Sequence, residues 1–322
     1  MTTPRSSIII GGTIAIDHVK TPEAEAANLL GGSAAYAALA ASFFTRPVDL
    51  IGIIGHDFPK EHLDMLEGHG ISLNGVERSE NESFTWSGEY HSNMNERTTH
   101  RVGLNVLENW QVKVPAACST APVVVLANMS PDNQMEMLSQ CGITNGNAQR
   151  FVVADTMDLW INIANQRLHE VLPLLDLFVL NEGEARDLAG TSSLVRAGKI
   201  LLEKGPRHVV IKLGEFGAML FSKIQGADPA QPEIEIFRCS AWPLETVADP
   251  TGAGDTFLGG MAGYLAALGL PPYSGDALRQ AIVQGSILAS FTCEAFSTRR
   301  LEYLSGDDLA ERVELYRQAT EW

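Results

Sequence analysis

The feature that most constrains this chain is a series of short apolar, β-branched runs separated by helix-compatible stretches. The runs are Ser7–Ile10, Val48–Ile54, Val123–Ala127, Phe151–Ala154, Leu177–Leu180 and His208–Leu213, and several of them are apolar on every residue. Strands covered on both faces read this way, whereas a half-solvated sheet alternates. Between the runs lie helix-like stretches at Ser33–Phe44, Lys60–His69, Asp132–Gln140, Trp160–Leu172 and Leu194–Lys204. Strand and helix in alternation predict an α/β fold, a doubly wound and mostly parallel sheet flanked by helices. With 322 residues and 45% apolar content the chain can bury a large core, and no repeat, low-complexity tract or charge block divides it.

One region breaks the rhythm. Ser83–Tyr90 and Arg97–Val106 are polar and rich in Thr, Val and aromatic residues, and the turn-like His91-Ser92-Asn93-Met94-Asn95 separates them. They predict a β hairpin outside the main core, a small sheet over 83–106 that recruits parts of 13–33. Such a sheet serves equally as an active-site lid, an insertion or a homodimer contact.

Charge narrows the partners. The chain carries 23 basic against 39 acidic side chains, a formal balance of −16, so its overall field repels nucleic acid and anionic membrane surfaces. Cys118, Cys141, Cys239 and Cys293 are far apart and form no C-x-x-C pair, which fits reduced, buried thiols in a cytoplasmic protein. The run of three isoleucines after Met1–Ser7 is too short for a signal-peptide core or a membrane span, so no targeting segment is expected.

The most informative stretch is Asp249-Pro250-Thr251-Gly252-Ala253-Gly254-Asp255-Thr256-Phe257-Leu258-Gly259-Gly260, followed by an apolar, helix-compatible segment. Pro250 turns Asp249 away from helix, and Gly252 and Gly254 let the chain turn with its amides exposed where a helix begins. Small side chains, free N–H groups and the helix dipole together make an anion site. A carboxylate there would repel a merely bound phosphate, but it suits a base that takes a proton from an attacking hydroxyl. The competing reading is structural: Asp255 as a first-turn acid favoured by the dipole. The chain holds no G-x-x-x-x-G-K-[ST], and Phe257 stands where the dinucleotide fingerprint needs its third small residue, which argues against P-loop and hydride chemistry.

This stretch resembles the C-terminal signature of the PfkB/ribokinase family of carbohydrate kinases, D-T-x-G-A-G-D-x-F, with Pro250 in place of Thr. Leu30-Gly31-Gly32-Ser33-Ala34-Ala35-Tyr36-Ala37-Ala38 is similar to the family's G-G-x-x-x-N-x-A. Asn181-Glu182-Gly183-Glu184 is similar to its N-x-x-E, and Ile211-Lys212-Leu213-Gly214-Glu215-Phe216-Gly217-Ala218 to its nucleotide-side strand-turn-strand. The resemblance spans nearly the whole chain. It implies a ribokinase-like fold with a small β-sheet lid, and ATP-dependent phosphorylation of an alcohol hydroxyl with Mg2+ as cofactor.

Residue by residue, the resemblance implies Asp255 as catalytic base beside the anion site of Gly252, Ala253 and Gly254. Asp17, Gly31, Gly32, Ser33, Tyr36 and Arg97 fall to the acceptor. Asp17 can accept two hydroxyl hydrogen bonds or be a turn residue at a strand end. Ser33 reads first as a helix cap and second as a hydroxyl contact. Tyr36 stands where relatives commonly carry Asn, so it either stacks on a ligand or packs in the core. Arg97, His100 and Arg101 either meet an acidic or phosphorylated sugar or form a solvated lid face. Asn181, Glu184, Lys212, Gly214, Gly217 and Gln284 fall to the nucleotide, with Glu184 reaching Mg2+ through water. Asn181 and Glu184 also fit a capping box, and Lys212 either meets a phosphate or snorkels to the surface. Asp249 is a candidate for a monovalent cation such as K+. A sugar or polyol is the leading acceptor, a nucleoside the second, and a non-catalytic binding protein the third reading.

Overall fold

The computed structural model describes residues 8–144, 149–224 and 233–321. Ser7, the first residue of the first expected strand, lies outside the described residues, as does the rest of the Met1–Ser7 segment. Along the chain the strands are β1 Ile8–Gly11, β2 Ala15–Lys20, β3 Glu25–Gly31, β4 Val48–Ile54, β5 Ile71–Arg78, β6 Thr85–Tyr90, β7 Arg97–Gly103, β8 Val123–Leu126, β9 Phe151–Asp155, β10 Leu177–Asn181, β11 His208–Lys212, β12 Ala218–Lys223 and β13 Ile234–Cys239. Nine of them form one sheet in the order β13-β12-β11-β10-β9-β8-β1-β4-β5. From β11 across to β5 every pair is parallel, and β12 and β13 add an antiparallel edge. The six apolar runs are its central strands, and β5 extends it by a further parallel pair.

Each central strand feeds two cores, because successive side chains leave opposite faces. Ile8 and Ile10 join one cluster with the helices Ser33–Ala41, Ala253–Ala267 and Gly275–Thr292. Ile9 joins the other with Pro131–Gln140, Asn165–Val171 and Leu194–Glu203. Full burial of one such side chain is worth roughly 1.5–3 kcal/mol, which is why apolar residues dominate these runs, with Asp49 in β4 and His208 and Lys212 in β11 as polar exceptions. The order of the sheet reverses at β1, with β4 on one side and β8 on the other, so the crevice for a ligand opens at the carboxyl ends of the central strands.

The single helix expected over Trp160–Leu172 is two helices, Asp158–Ile163 and Asn165–Val171. Asn165 donates its side-chain amide to the Ile161 carbonyl at 3.1 Å, taking the acceptor that its own backbone N–H would use in a continuous helix.

Two helices meet unusually closely. A Cβ on Gly259 would lie 2.0 Å from the Ala37 carbonyl oxygen, and one on Gly263 would lie 2.5 Å from Ala41 Cα. The Ala253–Ala267 helix therefore crosses Ser33–Ala41 backbone to backbone, and this crossing brings the start of one helix beside the first turn of the other.

The second sheet has the order β3-β2-β6-β7, with β2 and β6 parallel and the outer pairs antiparallel. It uses the expected hairpin together with 15–31. Val19, Leu29 and Tyr90 are buried on its inner face, with Trp86, Met94 and Phe296 packed against them.

Candidate active site

The signature loop is held from below by Asp249, which is fully buried. Its Oδ1 accepts the Thr251 amide at 2.8 Å and its Oδ2 accepts the Ser297 amide at 3.1 Å. Gly252 then caps the Ala253–Ala267 helix in the left-handed conformation, φ 78°, without a side-chain cap. Ala253 N donates to Pro250 O at 3.2 Å and Thr256 N to Gly252 O at 2.8 Å. Between them, the amides of Gly254 and Asp255 donate to no acceptor among the described residues. Two free donors at a helix N-terminus make an anion site of the kind the sequence suggests.

Asp255 lies in the first turn of that helix beside these amides. It keeps some solvent access, yet protein surrounds it closely. Burial pushes its pKa up to about 7, the Asp155 charge adds to the rise, and Lys212 and Arg97 work against it. A carboxyl poised near neutrality has the proton affinity of a general base.

The nucleotide side of the loop is built on the carboxyl ends of β9, β10 and β11. Lys212 Nζ lies 3.1 Å from Asp155 Oδ2, and 3.0 Å from where a Cβ on Gly254 would sit, so the ammonium faces the signature loop. Burial alone would lower the Lys212 pKa, but Asp155, Glu184 and Asp255 more than offset it and hold the lysine charged. Asn181 and Glu184 form the full capping box: Asn181 Oδ1 accepts the Glu184 amide at 2.9 Å and Glu184 Oε2 accepts the Asn181 amide at 2.8 Å. Burial lifts the Glu184 carboxyl to about 7, with Asp155 raising it further and Lys212 lowering it. Gly214 and Gly217 have φ of 56° and 92° and frame a single 3-10 turn, Gly214–Phe216, between β11 and β12. Gln284 is partly buried in the Gly275–Thr292 helix, and no hydrogen bond ties it to the other site residues among those described.

On the acceptor side Asp17 sits within β2 rather than in a turn at a strand end, because β2 continues to Lys20 and pairs with both β3 and β6. Its carboxyl lies over the main chain of Gly31, where a Cβ would come within 2.2 Å of it. Asp17 accepts no hydrogen bond among the described residues, and burial, then the charges of Asp249 and Asp255, push it up to about 8. Ser33 does not cap its helix. Gly32 occupies that position, and the buried Ser33 hydroxyl donates to Asn128 O at 3.1 Å while its own amide donates to Thr13 Oγ1 at 3.0 Å. Tyr36 is 1% exposed, its ring directly beneath Gly252, so no face of it is open to stack on a ligand. The Tyr36 hydroxyl is buried beside the Ser297 hydroxyl, which itself donates to Leu30 O at 2.5 Å.

Arg97 begins β7 and makes no ion pair among the described residues, and its charge lowers the pKa of both Asp255 and Tyr90. His100 is turned elsewhere, 3.2 Å from Glu89, which also binds Lys20, so the expected cluster with Arg97 is divided. The small sheet touches both halves of the site. Thr251 donates to Tyr90 Oη at 3.3 Å, and Asn95 at the hairpin tip donates to Glu215 at 3.4 Å. Tyr90, Thr251 and Asp155 were not singled out in the sequence. Asp155 had a signal, an acid directly after the apolar run Phe151–Ala154.

Among the described residues no three His, Cys, Asp or Glu side chains converge as a metal cage. Mg2+ seldom needs one, because it keeps several waters and is held by one or two carboxylates together with substrate phosphates. Glu184 and Asp155, close enough that the Asp155 charge raises the proton affinity of Glu184, would fit that donor set.

The sequence and the fold have known relatives. Residues 9–302 match the pfkB family carbohydrate kinase, and the chain belongs to that family. Over 260 residues it is 26% identical to a cytidine kinase of Thermococcus kodakarensis, covering 80% of this chain and 88% of that one. Over 133 residues it is 35% identical to mouse ribokinase, covering 39% and 36% of the two chains. Its fold superimposes with a TM-score of 0.75 on a putative ribokinase II of E. coli in complex with ATP and Mg2+, at 19% identity, covering 98% and 99% of the two chains.

The cost of the acceptor-side acid is measurable. A carboxyl whose folded pKa is raised is protonated in both states below its ordinary value, and ionised against its surroundings above its folded value. Its penalty therefore grows as pH rises from about 4 to about 8. Asp17→Asn is expected to raise the melting temperature by on the order of 5 °C at pH 8.5 and by almost nothing at pH 4.5. Thermal melts of both proteins at the two pH values check this, and an equal shift at both would contradict the burial cost.

Proposed function

We propose that this chain transfers the γ-phosphoryl group of ATP to an alcohol hydroxyl of a small sugar, polyol or nucleoside, with Asp255 taking the hydroxyl proton. The observation that carries the reading is the pair of free amides at Gly254 and Asp255 beside a carboxyl held near neutrality. Those amides and Lys212 meet charge that develops on the migrating phosphoryl group. Asp17, free of protein partners, holds acceptor hydroxyls over Gly31. Bound Mg2+, held through water by Glu184 and Asp155, would supply neutralising charge on the phosphates.

Asp249 spends one lone pair of each oxygen on a main-chain amide, and a potassium ion beside it would draw on the others. The small sheet acts as a lid, docked on the signature loop through Tyr90 and on the nucleotide-side turn through Asn95. A homodimer would cover the exposed β7. The four cysteines are free thiols, which suits a cytoplasmic protein. Among these acceptors, a nucleoside draws support from the similarity to a cytidine kinase across most of the chain.

Acceptor-dependent ADP release tests the proposal, measured over sugars, polyols, sugar phosphates and nucleosides with Mg2+ and ATP. At least one neutral acceptor is expected to raise ADP release well above the ATP-only rate. If none does, the kinase reading fails.

A further inference from the structure

The surroundings of Asp17 narrow the acceptor, on the footing of the kinase reading above. By strand register Trp86 stands directly beside Asp17, since the two are paired in the parallel β2–β6 ladder. The Trp86 ring lies against Gly88, where a Cβ would come within 2.3 Å of it. Its indole N–H is tied to Thr99 at 3.3 Å, which fixes the ring on the inner face of the lid. Val19, Leu29, Tyr90, Met94 and Phe296 complete an apolar wall there. The wall reaches the reaction centre at two points: Tyr90 meets Thr251 of the signature loop, and Phe296 precedes Ser297, which clamps Asp249.

Polar groups on this side are few and mostly committed. Thr13 and Ser33 bond each other at 3.1 Å, Ser33 also donates to Asn128 O, and the Asn128 side chain accepts from Trp160 at 2.8 Å. Of the side chains named on this side, the Asp17 carboxyl and the lid guanidinium of Arg97 have no partner among the described residues. A free sugar or polyol carries four or five hydroxyls, and burying each without a partner is costly. A molecule with one vicinal diol and a large planar apolar part fits this inventory, with two hydroxyls for the two oxygens of one carboxylate and a ring for the wall. Charge argues the same way. Asp249 and Asp255 lie close enough to act on Asp17, so a phosphorylated or acidic acceptor would add negative charge where three carboxyl groups already gather.

We propose that the acceptor is a neutral nucleoside, its ribose diol held by Asp17, its base lying on the wall of Trp86, Tyr90, Met94 and Phe296, and its primary hydroxyl turned to Asp255. In the transfer the hydroxyl oxygen bonds to the γ-phosphorus, the bond to the β,γ-bridging oxygen breaks, ADP leaves, and the hydroxyl proton passes to Asp255.

The test is kcat/KM for cytidine, uridine, adenosine, guanosine and inosine against ribose, fructose, myo-inositol and fructose 6-phosphate. At least one nucleoside is expected to exceed every free sugar by about 100-fold, and its 2′-deoxy analogue to lose most of that advantage. Trp86→Ala is expected to raise the nucleoside KM by about 10- to 100-fold with kcat little changed, because stacking is made equally in ground and transition states. Trp86→Phe retains a ring and is expected to recover most of the loss, which separates stacking from misfolding, with thermal melting as the check. A free sugar or polyol used as well as any nucleoside overturns the inference and leaves the kinase reading standing, as does an unchanged KM in Trp86→Ala. No turnover with any acceptor overturns both.

Discussion

Asp255→Asn is expected to lower kcat by about 10²- to 10⁴-fold, the range that loss of a positioned general base produces. The substitution is nearly isosteric, and the signature loop hangs on Asp249, Thr251 and Ser297 rather than on this side chain, so the anion site survives. KM for ATP is therefore expected to stay within a few-fold of the parent value. A small fall would be no surprise, because the lost charge faces the phosphates. The parent enzyme carries a second mark of the same group. Its Asp255 pKa is pushed up to about 7, and only the ionised form can accept a proton, so kcat/KM should rise with pH and level off above neutrality. That acid limb should vanish from the residual activity of the variant. Steady-state kinetics from pH 5.5 to 9 decide the matter, and a variant that kept its full rate would remove Asp255 from the chemistry.

Much of this was legible in the chain itself, for identifiable reasons. The central strands are covered on both faces, so Val123–Ala127 or Leu177–Leu180 carries an unbroken apolar run that nothing but burial explains. The signature loop was legible because its glycines and acid answer a local demand, a helix N-terminus that must present amides to an anion. Less legible were features set by partners distant in sequence. Ser33 looks like a cap from its neighbours, but its hydroxyl is claimed by Asn128, 95 residues away. Tyr36 in an alanine-rich helix gives no sign that its ring will lie under Gly252, which depends on how closely two glycine-bearing helices cross. Asp155 was passed over because a lone acid after a strand is commonplace, and only the fold brings Lys212 to it. The break at Ala164 escaped because a side-chain amide replaced a backbone one without disturbing helical composition.

The Tyr36–Gly252 contact makes the other large prediction. A Cβ on residue 252 would lie 2.3 Å from the Tyr36 ring, and the ring has nowhere to go, being buried in a helix whose neighbours are backbone. The residue would also have to keep φ near 78°, which costs a side-chain-bearing residue roughly 1–2 kcal/mol. Gly252→Ala is therefore expected to displace the loop, with kcat falling by about 10²- to 10³-fold as the amides of Gly254 and Asp255 lose their aim. The two causes can be separated. Tyr36→Leu makes room for the methyl group but does nothing for the dihedral, so in the double variant the collision should go and the backbone cost should stay. Relative to Tyr36→Leu alone, adding Gly252→Ala should then cost about 1–2 kcal/mol in denaturant unfolding, and clearly more in the parent background. Much of the lost kcat should return with it. Were Gly252→Ala as stable and active as the parent, neither the ring nor the left-handed turn would be holding those amides in place, and the anion site would need another foundation.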